Sequence, residues 1–362
     1  MLYHIDDSVL LAAQNNNKDI IEILADFIYS WRRGLCLISA SRRTLSELKN
    51  IRGLEQFSLI ERYAQGIHSL YTSLDFFVVL VANNAKVAVM QQFANKYVVM
   101  DISMFNNPKQ ISLNYLVCEN VRDCYFYVSG TKHMLSSSWG HSYQLNIDEG
   151  NGGGGTITDV LKTYKNYACL AICDSDKKYP LCKKGETITA VSTYFKGLHG
   201  CRMWMYALQV HEVENLVPVK LLEKVRQGKV HKNRVKTINT IASSCSGNAF
   251  LTHFDFKKGF REKLLVEINE KDVLFEDVCK QTLLNIGKSQ HEINKSISNG
   301  KDSPKELVPG FGDTIFGDTL DYIQNNNVNP NCWIFDAYQQ TDWCAIASKV
   351  WSLGCAMAPR RL

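Results

Sequence analysis

The sequence predicts an α/β protein: a central Rossmann-like, mostly parallel four-stranded sheet, with an α/β domain before it and a mostly helical region after it. Three observations predict this. Between residues 111 and 218, four strand-like apolar runs alternate with segments of helical character, the pattern of βα units. Two of those runs end directly in acidic residues, Glu119 and Asp174. The 362 residues suffice for two or three domains of ordinary size, and 45% hydrophobic with 21% charged residues is a globular balance.

Residues 1–110 read as an N-terminal α/β domain of unassigned role. Ile20, Ile23, Leu24, Phe27, Ile28 and Trp31 recur at helical spacing. Leu35 to Ala40 is strand-like, and Thr44 with Glu47 matches a capping box opening a short helix. A helix over 55–71 and strands at Phe76 to Ala82 and Tyr97 to Ile102 follow. Arg42 and Arg43, at a strand-to-helix turn, read as surface arginines, with a phosphate contact as the alternative.

The central domain, 111–218, has expected strands at Asn114 to Cys118, Tyr143 to Ile147, Ala168 to Cys173 and Met203 to Val210. Helices are expected over Val121 to Leu135, Thr156 to Tyr164 and Thr187 to Phe195. Right-handed crossovers then place helices on both faces. Residues 219–362 read as a mostly helical C-terminal domain. Ser298 to Asp318 holds the densest cluster of its Pro and Gly and reads as a long loop, and Asn325 to Asn331 as a turn. A last helix has Thr341 as N-cap, a stripe of Trp343, Ile346, Ala347, Val350 and Leu353, and Gly354 as its stop. That stripe reads as core rather than a partner-binding face.

Bulk features exclude several classes. No apolar run approaches the ~20 residues of a membrane helix. The start of the chain, with Asp6 and Asp7, lacks the layout of a signal peptide, so a soluble cytoplasmic protein without membrane contact is expected. Of twelve cysteines, Cys36, Cys118, Cys169 and Cys173 lie in apolar runs where a thiol acts as a small hydrophobe. No Cys-x-x-Cys pair occurs, which argues against structural zinc. The net charge of +5 is concentrated locally. Lys224, Arg226, Lys229, Lys232, Arg234 and Lys236 form one basic stretch, and Lys257, Lys258, Arg261 and Lys263 a second group. Each is either a solvated face or a nucleic-acid track.

The chemistry sits at strand ends. Glu119 follows the first strand, with Asp123 four residues on. Asp174-Ser175-Asp176 follows the third, and His211-Glu212-Val213-Glu214-Asn215 the fourth. In an open α/β sheet, ligands gather at the carboxyl ends of strands. If strand geometry persists past Cys173, Asp174 and Asp176 project to one face. Carboxylates crowded together raise one another's pKa, and a divalent cation removes that penalty. Hard oxygen donors suit Mg²⁺ or Mn²⁺, which can activate water against a phosphodiester. The run from Gly150 to Gly155 is either a flexible loop or a phosphate cradle; it lacks the Lys-Ser/Thr of a Walker A loop.

These residues resemble a TOPRIM domain, whose first motif is a strand ending in Glu and whose second is a strand ending in Asp-x-Asp. Here they read Leu116-Val117-Cys118-Glu119-Asn120-Val121-Arg122-Asp123 and Asp174-Ser175-Asp176, with Asn120 where Gly is usual. The resemblance covers about residues 112–218 and is nearest to TOPRIM proteins of bacterial anti-phage systems, through the segment ending Glu212-Val213-Glu214-Asn215 and the stretch Phe254-Asp255-Phe256-Lys257-Lys258-Gly259. It implies a metal-dependent nuclease cleaving DNA or RNA, tRNA included. Glu119 is then metal ligand or general base, Asp174 and Asp176 are ligands, and Asp123 and Glu214 support them, with Glu212 as substitute for Glu214. Lys177 or Lys178 would assist, and Lys224, Arg226, Lys229, Lys232, Arg234, Lys257 and Lys258 would meet nucleic acid. A separate ATPase, or a retron reverse transcriptase with its RNA, would act as sensor; homo-oligomer formation is left open. The alternative is a catalytically inactive TOPRIM-fold protein that binds nucleic acid or regulates. Topoisomerase or primase action is disfavoured, since no gate domain or zinc module is legible.

Overall fold

The computed structural model describes residues 1–63, 78–92, 95–139, 143–198, 202–226, 228–326, 328 and 330–359. It is a mixed α/β chain in two compact units that do not follow chain order. The first gathers Met1–Ile172, Ala190–Tyr206 and Ala345–Leu362, the second Cys173–Thr189 and Ala207–Cys344. Among the described residues no helix is long and apolar enough to cross a membrane.

The first unit contains a five-stranded sheet in the order β2-β1-β3-β5-β4. These are β1 (Leu2–Ile5), β2 (Leu37–Ala40), β3 (Val78–Ala82), β4 (Ala88–Gln92) and β5 (Asn95–Asp101). β1 pairs in parallel with β2 and β3, β5 lies parallel to β3, and β4 turns back antiparallel to β5. β1 is absent from the sequence reading because four residues running straight into a helix at Asp7–Gln14 carry little periodic signal. The helix Lys18–Arg32 buries the six apolar residues that predicted it. The next helix is Arg42–Leu48, capped by Ser41, whose Oγ accepts the Thr44 amide. The capping position is therefore three residues earlier than expected: Glu47 is engaged by Arg43 instead, 3.0 Å away. The expected helix over 55–71 is a turn at 55–56 and helical across 57–63, and beyond that it lies outside the described residues, as do Phe76 and Phe77 of the expected strand.

A four-stranded sheet has the order β10-β9-β6-β8, with β6 Asn114–Cys118, β8 Asp148–Asn151, β9 Ala168–Cys173 and β10 Met203–Ala207. β6 is parallel to both β8 and β9. All six residues of β9 are buried, as expected of a central strand covered on both faces. The second strand is not the expected 143–147. Tyr143–Leu145 (β7) instead pairs antiparallel with Cys355–Met357 (β13). The chain turns at Asn146, whose side chain donates to Leu35 O and Ser112 O and whose amide donates to Gly354 O. The polar sequence Asp-Glu-Gly-Asn of β8 is tolerated because it takes the sheet's edge.

In the second unit, Phe250, Phe254, Phe256, Phe260 and Phe311 form one ring cluster with centroids 5.0–6.0 Å apart. The expected loop 298–318 contains β12 (Glu306–Val308), which pairs antiparallel with β11 (Phe260–Arg261), and the start of the helix Ile315–Asn325. Part of the expected turn 325–331 lies outside the described residues. The last helix, Ala337–Gly354, begins before Thr341: the Gln339 side chain accepts the Asp336 amide, one half of a capping box in the sequence Asp-Ala-Tyr-Gln. Its expected apolar stripe is buried.

Asp342 is 1% exposed and accepts from the amides of Gln209 and Val210 at 3.0–3.1 Å. Asp342→Ala strands the buried Val210 amide and removes the partner of the part-buried Gln209 amide, and should lower stability by about 2 kcal/mol. The check is the urea midpoint, which should fall at unchanged slope; an unmoved midpoint would show that the carboxylate holds nothing in place.

Candidate functional site

The sheet positions its chemistry by topology. In chain order its strands are first (β6), second (β8), third (β9) and fourth (β10), and in space they run second-first-third-fourth. The chain leaves β6 toward one side and β9 toward the other. Such a reversal opens a crevice outside the carboxyl ends of the two strands, the usual ligand position in open α/β sheets. The residues next in sequence are Glu119 after β6 and Asp174 after β9.

At the end of β6, Glu119 is half-buried. Asn120 opens the helix Val121–Trp139: its side chain accepts the Arg122 amide at 2.9 Å, and Asp123 Oδ2 accepts the Asn120 amide at 2.9 Å. This reciprocal cap explains asparagine at that position and gives Asp123, expected as a metal ligand, a bond in the helix start. The glycine run docks on the same strand end. The Gly152 amide donates to Cys118 O at 2.7 Å, Gly154 to Glu119 O at 3.3 Å and Gly153 to its neighbour Asn151 Oδ1 at 3.1 Å. Three amides that a phosphate cradle would need are thus spent on the protein itself. A Cβ on Gly152 would stand 2.5 Å from Cys118 O, so this contact requires glycine.

Beyond β9 the strand geometry does not persist. Asp176 adopts φ +55°, a left-handed turn, so the alternation that would have sent Asp174 and Asp176 to one face is broken. The turn is held by Ser175 Oγ donating to Val210 O at 2.6 Å and by the Asp176 amide donating to His211 O at 3.0 Å. Gly185 leaves space for the Asp176 carboxylate: a Cβ there would meet its Oδ2. Burial raises the Asp176 pKa, Glu212 adds to the rise, and His211, Lys257 and Lys178 pull it down without cancelling it. Lys177 donates to Pro180 O at 2.8 Å, whereas Lys178 is exposed.

After β10, Val213–Leu216 forms a 3-10 turn that buries Glu214. Lys257 reaches into this turn, with Nζ 2.6 Å from Glu212 Oε2 and 3.4 Å from Glu214 Oε1. Burial alone would push the Lys257 ammonium toward neutrality, but the two glutamates reverse this and its pKa is raised. His211 is 3% exposed, with Nε2 3.5 Å from Glu212 Oε1. Burial lowers its pKa, so the imidazole is neutral at pH 7 and leaves Lys257 as counter-charge. Lys257 thus supplies a positive charge that relieves the repulsion between these glutamates. Lys257 itself, expected as a nucleic-acid contact, faces inward. The sequence Phe254-Asp255-Phe256-Lys257-Lys258 explains why. The two phenylalanines anchor in the ring cluster, and Asp255 Oδ1 accepts the amides of Lys257 and Lys258 at 2.9 and 2.7 Å. Its distance along the chain from Glu212 concealed this pairing, and His211 was legible only as part of its motif.

The basic stretch is split by packing. Arg226 is tied to Asp318 and Thr314 and is structural. Arg234 is half-buried; Lys229, on the same helix Lys229–Ala242, is exposed. Lys224, Lys232 and Lys236 line one open groove of about 710 Å³ with Asn239 and Thr240.

Among the described residues no group of three or more His, Cys, Asp or Glu side chains is arranged to hold a metal ion. Comparison of the chain with protein-family models, curated proteins and solved structures finds no match.

Two outcomes follow. Lys257→Ala should cost about 3 kcal/mol, because it leaves Glu212 and the buried Glu214 without their counter-charge, and Glu212→Gln in the same chain should recover part of it. Thermal melts of the single and double variants check this; strictly additive losses would remove the proposed coupling. Reversing Lys224, Lys232 and Lys236 to Glu should reduce the salt dependence of nucleic-acid binding by about three counterions, roughly one per lost phosphate contact. An unchanged slope would make the groove an ordinary solvated face.

Proposed function

We propose that the chain is a metal-dependent nuclease of TOPRIM type, with Glu119, Asp174 and Asp176 as its reactive carboxylates. One observation carries the reading: the acidic residues follow the first and third strands of a second-first-third-fourth sheet, where the strand order reverses. Oxygen donors suit Mg²⁺ or Mn²⁺. The donor chemistry fits such an ion at Asp176, a carboxylate whose pKa is raised by burial and whose neighbouring cations compensate only in part. By the resemblance, Glu119, Asp174 and Asp176 would hold the ion, although they form no ready-made group for one among the described residues; when bound, it supplies an activated water and charge stabilisation at phosphorus. The groove of Lys224, Lys232 and Lys236 would bind the polyanionic substrate. As an effector of a bacterial anti-phage system, the chain would take its trigger from a separate ATPase or a retron reverse transcriptase with its RNA.

A second reading has its own support. Glu212 and Glu214 are neutralised by Lys257, and Asp123 is used in a helix cap, as in a TOPRIM-fold protein that binds nucleic acid without cutting it.

Purified protein incubated with Mg²⁺ and labelled tRNA, plasmid or single strands should cut at least one of them, and EDTA should stop it. Glu119→Ala and Asp174→Asn should each slow cleavage about a hundredfold or more while the melting curve stays near wild type. Calorimetric titration of Mg²⁺ should show binding that Asp174→Asn removes. Full activity in Glu119→Ala would strike that residue from the mechanism, and Mg²⁺ binding indifferent to Asp174→Asn would favour the non-cutting protein.

A further inference from the structure

A second basic site lies in the second unit, apart from the groove. Its cavity, of about 240 Å³, is lined by Lys178, Lys258, Arg261 and Lys263 together with His253. The four cations come from three separate places: the turn after β9, the turn after Phe256, and the strand-to-helix junction at Arg261–Lys263. Two acids share the lining, and both are engaged elsewhere. Asp255 holds the Lys257 and Lys258 amides, and Glu267 takes Lys271 at 2.8 Å and the Tyr179 hydroxyl at 3.1 Å. Among the described residues, Arg261 makes a loose ion pair of 3.9 Å with Glu306, and Lys178, Lys258 and Lys263 make none within 4.0 Å. Their placement also breaks a local rule. Arg261 and Lys263 flank the start of the helix Glu262–Lys271, where the helix dipole disfavours positive charge and no side chain caps the amides. The one acid of that first turn, Glu262, is turned to Lys305 and Ser296, each 2.8 Å away. An anion in the cavity would convert each unfavourable placement into a favourable one.

We propose that this cavity binds a phosphate monoester, the terminal phosphate of a nucleic-acid strand. A monoester carries close to two negative charges at neutral pH and three acceptor oxygens, which matches four converging cations better than the single charge of a diester. His253 adds a polar atom of fixed character. Its Nδ1 lies 2.9 Å from Lys177 O and must donate to that carbonyl, so Nε2 donates to a phosphate oxygen when the ring is protonated, a state that a bound dianion favours. That the monoester belongs to a strand end rests on the nuclease reading; that the cavity takes a monoester does not.

The test uses the full chain in EDTA, so that no cleavage is needed. One short oligonucleotide is titrated in 5′-phosphorylated, 3′-phosphorylated and unphosphorylated forms, followed by calorimetry, with inorganic phosphate as competitor. One phosphorylated form should bind about tenfold more tightly than the unphosphorylated form, and phosphate should erase the difference. Arg261→Ala and Lys263→Ala should each shrink that preference while leaving unphosphorylated binding unchanged. Equal affinity for all three forms, or a preference that survives in every variant, overturns the proposal. A chain that cuts nothing in Mg²⁺ yet shows the preference would sink the nuclease reading and leave this site standing.

Discussion

The parallel pairing of β6 with β9 is the constraint on which the central sheet's chemistry depends. Parallel strands run the same way, so their carboxyl ends reach the same edge whatever residues follow them. The register from Asn114 opposite Ala168 to Val117 opposite Ala171 sets how far each strand runs before its acidic residue appears. Slippage by one residue would exchange the two faces of β9, a strand buried throughout, and is opposed by both layers of packing. On the other flank, the Gly152 amide bonded to Cys118 O fixes where β6 stops.

Around these strand ends, carboxylates are stabilised by different means, and the means separates structure from chemistry. Asp123 and Asp342 accept backbone amides, which suits a permanent charge that never has to change partner. Glu212 and Glu214 share a lysine. Asp176 sits in a left-handed turn with its carboxylate in the space left by Gly185, and burial dominates its titration. A strained, under-compensated carboxylate is a costly feature for a purely structural residue, and such features gather at functional sites.

The cations divide in the same manner. Arg43 and Arg226 each serve a nearby carboxylate, Lys177 a backbone carbonyl, and Lys257 a pair of glutamates. Two further sets are grouped: Lys224, Lys232 and Lys236 on an open groove, and Lys178, Lys258, Arg261 and Lys263 around a smaller cavity. An extended polyanion suits the first shape and a single compact dianion the second. A net charge of +5 spread evenly would favour neither.

Local pattern was enough for β6, β9 and the helix at Lys18–Arg32, because continuous apolar runs and helical periodicity report burial directly from neighbouring residues. It also marked Glu119 and Asp174 as strand-end acids, since that depends only on where an apolar run stops. It failed where partners are distant in sequence. β8 is polar because it lies at an edge, and β7 finds its partner more than two hundred residues away, at β13. Lys257 was expected on nucleic acid and Asp176 on one strand face with Asp174, because neither the inward reach of one nor the left-handed turn of the other is written in neighbouring residues. Charge and hydrophobicity are carried by each residue alone, and the sequence determined them by itself. Which charge meets which is decided by the turns and packing that bring remote segments together, so only the tertiary structure could settle it.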